Sequence, residues 1–261
     1  MGDEKILDIA KEISKNVYDD VIHPVAKPTG EILSLLPRAI KVALSPIEKW
    51  IIQKECNMAE IRRLLEEKLK NVSPDLIEVP EPYISVPSIQ YISYCMDNDE
   101  LRNMYANLLA SSMQKGVKET VHPAYVEIIK QLCPDEAKIL KYMLSYNMIP
   151  TVEIKFVFQN GESGKHLYGF NMVAKKAQCD FPHRGNQYFD NLIRLGLVKP
   201  SNHAWFLNQG QYNELLDDPE VKQCYDSWKN FPNLSKIDYI RGAYEITTLC
   251  DGFFNVCVYD P

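Results

Sequence analysis

Arg184-Gly-Asn-Gln-Tyr-Phe-Asp-Asn-Leu-Ile-Arg-Leu-Gly-Leu-Val-Lys199 is the stretch on which the fold turns. From Arg184 to Leu195 it has a helical period. Tyr188, Phe189, Leu192 and Ile193 share one face, with Leu195 at its edge, and Asn186, Gln187, Asp190, Asn191 and Arg194 share the other. Gly196 stops this helix, and Leu197-Val198-Lys199 leaves it as a strand. Just upstream, Met172 to Cys179 reads as a short helix. Further upstream, Thr151 to Phe158 alternates as a strand with Val152, Ile154, Phe156 and Phe158 on one face. Gln159-Asn160-Gly161 is a hairpin signal, and Lys165 to Phe170 returns as its partner. Downstream, residues 211–229 read as helix and Tyr244 to Thr247 as a short strand, with Thr248 capping a last helix through Val258.

Helix, strand, two helices, strand, loop and strand is the order of a winged helix-turn-helix, and the Arg184–Leu195 helix has the packed side and polar side of a recognition helix. Lys175, Lys176, Arg184, Gln187, Asn191 and Arg194 are the candidate nucleic-acid contacts. The charge balance opposes that use. From Pro134 to Pro261 there are 13 Lys and Arg against 15 Asp and Glu, a net of −2, and Asp190 sits amid the polar face. Winged helices also dock proteins, so both readings stay open.

The first half is helical by pattern. Ile6, Ile9, Ala10, Ile13, Val17 and Val21 mark one helix over 4–22. Residues 30–54 form one or two helices around Pro37 and Pro46. Asn57-x-x-Glu60 caps a helix from Ala59 to Lys70 whose apolar side is Ile61, Leu64, Leu65 and Leu69. Ser73 to Pro87, with Pro74, Pro80, Pro82 and Pro87, reads as an extended connector, and helices resume at Ser88–Met96 and Asp99–Gln114, with Gly116 as a stop. His122-Pro123 and Cys133-Pro134-Asp135-Glu136 each open a further helix. The fold class is therefore mainly α with a small β component: a helical region over 1–120, then a winged-helix-like domain over 121–261 with an inserted helix near 211–229.

The chain has 261 residues, 46% hydrophobic and 25% charged, with a net charge of −6. That composition excludes collagenous and disordered classes and a broadly basic nucleic-acid binder. Seven scattered cysteines, odd in number and without Cys-x-x-Cys, read as reduced thiols, and the acidic N-terminus is not a signal peptide. A cytoplasmic protein is expected. The most apolar run, Ile32 to Ile52, is broken by prolines and charges, so it does not read as a membrane span. Arg38, Lys41, Lys49 and Trp50 within it would suit a helix lying on a membrane, against the alternative that the run is core.

Cys179 and His183, with His166 and His203 in the same half, make one loose ligand pair where zinc needs two tight ones, so no metal site and no cofactor is assigned. Gly161-Glu-Ser-Gly164 is a hairpin loop, with neither the lysine of a phosphate loop nor a nucleophile elbow around its serine. Asp19-Asp20 and Asp217-Asp218 are adjacent pairs that diverge on a helix. No enzyme is expected.

A series of motifs runs through the first half: Val17-Tyr-Asp-Asp20, Leu36-Pro-Arg-Ala-Ile40 with Leu44-Ser-Pro46, Glu66-Glu-Lys-Leu-Lys70, Pro80-Glu-Pro-Tyr83 and Val86-Pro87. Asp97-Asn-Asp-Glu-Leu-Arg102, Tyr105-Ala-Asn-Leu-Leu-Ala110, His122-Pro-Ala-Tyr-Val-Glu-Ile-Ile-Lys-Gln-Leu132 and Asp135-Glu-Ala-Lys-Ile-Leu140 continue it. In that order they resemble the abortive-infection alpha (Abi-alpha) family of bacterial proteins, most densely from Tyr83 to Leu140. Tyr244-Glu-Ile-Thr247 and Gly252 agree with the family's tail, and Cys250-Asp251 departs from it. The resemblance implies a role in phage defence by abortive infection and supplies no catalytic residues to carry over. Its natural partner is a protein or phage component; DNA and a membrane surface stay open as alternatives, as does self-association.

Overall fold

The computed structural model of the protein describes residues 60–201 and 208–259. The expected helices over 4–22 and 30–54, Asn57, the membrane candidates Arg38, Lys41, Lys49 and Trp50, and His203 lie outside the described residues. All described residues belong to one compact unit, Asn57–Pro261.

Residues 60–69 are helical and bury Ile61, Leu64 and Leu69, as their spacing requires. The next helix, α1 (Pro82–Ile92), corrects the extended reading of 73–87. Pro82 takes the first helical position, where no N–H is needed. Pro87 lies inside the helix and forfeits one ladder bond; burial of Ile84, Ser88 and Ile92 against the core offsets it. Asn98 then caps α2 (Asp99–Ser112) by accepting the Leu101 amide at 2.9 Å, with Asp99 and Glu100 at the positive end of the dipole.

From Met104 to Ser112 every residue of α2 is buried, so this is the central helix of the unit. α3 (Ala124–Lys130) and α4 (Pro134–Met143) pack around it. So does the C-terminal pair of α9 (Thr248–Phe253) and a π-helical turn, Phe254–Val258. The polar side chains of α2 bind that turn: Asn107 Nδ2 donates to the Cys257 carbonyl at 3.2 Å and Ser111 Oγ to that of Val256 at 3.1 Å. A π turn leaves such carbonyls without their usual donors, and α2 supplies replacements. Thr247, not Thr248, caps α9, accepting the Cys250 amide at 3.2 Å.

The β part is one antiparallel sheet in the order β2-β1-β4-β3. β1 (Met148–Phe158) and β2 (Ser163–Phe170) form the expected hairpin. β4 (Leu234–Ile246) runs along β1 for its full length and pairs with short β3 (Val198–Ser201) on its other side. It is far longer than the Tyr244–Thr247 strand expected, because Lys236, Asp238 and Arg241 interrupt its apolar pattern while its backbone pairing is complete. Val152, Ile154, Phe156 and Phe158 share a face, as their alternation requires. They pack under α7 (Gln209–Leu216) and α8 (Pro219–Trp228) through Tyr212, Leu215, Val221 and Trp228. The stretch 211–229 is two helices, because Pro219 cannot continue the first and Asp218 caps the second.

Between β2 and β3 lie α5 (Val173–Lys176) and α6 (Gly185–Arg194). α6 buries Tyr188, Phe189 and Leu192, and Phe189 stacks on Tyr244 at 5.0 Å. Gly196, at φ +74°, ends it, letting the Leu197 amide reach back to the Leu192 carbonyl at 3.0 Å. At Gly169, φ is +61° and an added Cβ would sit 1.9 Å from the Tyr244 hydroxyl, so only glycine fits where β2 crosses that ring. The fold is mainly α with a small β component.

Candidate functional site

The start of α4 organises the region around α6. Asp135, 3% exposed, accepts the amides of Asp180 at 2.7 Å and Phe181 at 2.9 Å and the Tyr188 hydroxyl at 2.8 Å. Burial alone would push its carboxyl up. The two amides, the hydroxyl and Lys138 at 3.6 Å outweigh that and hold it below the usual carboxylate range. Burial first, then the bond to Asp135, pushes the Tyr188 hydroxyl up. One carboxylate thus fixes the loop between α5 and α6 and the buried side of α6 to α4. The next residue, Glu136, accepts the Cys133 amide at 2.7 Å and Asn191 Nδ2 at 2.9 Å.

The residues expected to contact nucleic acid fall into two sets with different partners. On α6, Asn191 Nδ2 also donates to the Gln131 carbonyl at 3.0 Å. Arg194 donates to Gln131 Oε1 at 3.0 Å and to Asn191 Oδ1 at 2.6 Å. Two residues of the polar face of this helix, Asn191 and Arg194, therefore make tertiary contacts to the end of α3 and start of α4. Arg184, just before α6, is exposed with its guanidinium 5.0 Å above the Phe181 ring, and Gln187 and Asp190 are exposed. On α5, Lys175 Nζ lies 2.7 Å from both carboxylate oxygens of Asp218, which is 5% exposed, and 3.7 Å from Glu220. Lys176 pairs with Glu214 at 2.7 Å. Both lysines are neutralised locally by α7 and α8.

The end of α4, the start of β1, α5 and α7 line a shallow, solvent-open cleft. Met148, Pro150, Met172 and Leu215 supply its apolar lining, and the Lys176–Glu214 pair part of its rim. Tyr142 and Tyr146 stack at 5.1 Å with their hydroxyls 3.1 Å apart, and burial, with that hydrogen bond, pushes the Tyr142 hydroxyl up to about 12. Such a wall can stack and hydrogen-bond, but the Tyr142 phenol is held protonated and makes a poor nucleophile.

Cys179 is buried, its thiol pushed up to about 12 chiefly by burial, while His166 and His183 are exposed. Among the described residues no three His, Cys, Asp or Glu side chains stand close enough to hold a metal ion, and no helix is long and apolar enough to cross a membrane. Sequence reasoning missed Asp135, Glu136 and Asp218 as tertiary anchors. The available signal was a carboxylate beside proline at a helix start, in Pro134-Asp135 and Asp218-Pro219, and it reads only as capping.

No curated protein matches the chain in sequence. A solved structure of an uncharacterized protein from the hydrocarbon-degrading marine bacterium Alcanivorax borkumensis SK2 is 15% identical, covering 56% of this chain and 99% of that one, at a TM-score of 0.35. The sequence model of the family described as "Abortive infection alpha" matches residues 53–257, from before the helix at 60–69 to the C-terminal π turn. The chain belongs to the abortive infection alpha family.

Proposed function

We propose that this protein serves in abortive infection without catalysing a reaction, binding a protein or phage component through its helical body and a winged-helix-like part made of α4 to β4. The family match over residues 53–257 carries the defence role. The preference for a protein partner over DNA is supported by charge. Lys175 and Lys176 are paired with carboxylates, and Asn191 and Arg194 are engaged with Gln131 and Glu136. Arg184 is the exposed cation of the candidate set whose contact is an aromatic ring, that of Phe181 at 5.0 Å. Phosphate binding draws on several clustered cations that release counterions together, and one arginine supplies little of that.

Phage challenge of cells with and without the gene tests the role. Fewer plaques and early death of infected cells are the expected result; equal plaque counts across a broad phage panel refute it. Gel retardation at low salt tests the DNA alternative. Retention of a duplex that weakens in Arg184→Ala and Arg194→Ala would move the reading to nucleic acid.

A further inference from the structure

We draw no further inference here: the strongest candidate, the exposed apolar side of α1 with Tyr83, Val86 and Tyr94, carries nothing because nothing in the structure shows what covers it.

Discussion

Replacing Asp135 tests whether one carboxylate ties α6 to α4. Asp135→Ala removes an acceptor from the Asp180 and Phe181 amides and the Tyr188 hydroxyl. Hydrogen bonds to a charged acceptor contribute about 1.5–3 kcal/mol each, but they are not additive. Asp180 and Phe181 are exposed residues whose amides can turn to water, whereas Tyr188 is buried and its hydroxyl is left without a partner. A loss of about 3 kcal/mol is expected for alanine, and about 2 kcal/mol for Asp135→Asn, which keeps one acceptor oxygen. The carboxyl is held below its ordinary value in the folded state, so the unfolded chain binds more protons in the acid range. Its contribution is therefore full above the ordinary aspartate value of about 3.9 and is lost as pH falls through the lower folded value. Urea unfolding followed by circular dichroism at neutral and acid pH measures both effects. A cost below about 1 kcal/mol, or an acid dependence as steep in Asp135→Asn as in the parent, would refute the reasoning.

Gly169→Ala should cost about 2 kcal/mol or more, from the left-handed backbone and the collision with Tyr244, and Tyr244→Phe should recover part of it in the same unfolding assay. Lys175→Ala should destabilise by about 1–2 kcal/mol because Asp218 is left buried and unpaired, whereas Lys176→Ala should fall within about 0.5 kcal/mol. Native Cys179, Cys250 and Cys257 should resist a thiol-specific reagent at mildly alkaline pH and react on unfolding, since burial raises all three thiols.

Local period made the hairpin and α6 legible in the sequence. The alternation from Val152 to Phe158 and the spacing of Tyr188, Phe189 and Leu192 each report burial directly. Pairing and context hid the rest. β4 is held by backbone bonds to β1 and β3, and charged side chains at Lys236, Asp238 and Arg241 mask it. α1 contains a proline whose cost only packing offsets, so propensity argued for a coil where tertiary burial won. Of the candidate site, the residue types on α6 were readable, but not their occupation. Asn191 and Arg194 find partners about sixty residues upstream, a distance at which periodicity carries no information.

The bonds from α2 to the C-terminal π turn span up to 150 residues. During synthesis at about 5–20 residues per second, α2 emerges roughly 7–30 s before Val256 and Cys257 do. For that interval a helix buried from Met104 to Ser112 in the finished fold lacks one wall, and the Cys257 carbonyl that Asn107 will bind does not yet exist. Closure of this part of the core is thus a late event in synthesis. Ribosomes halted before residue 256 would release a helical body that cannot finish its core.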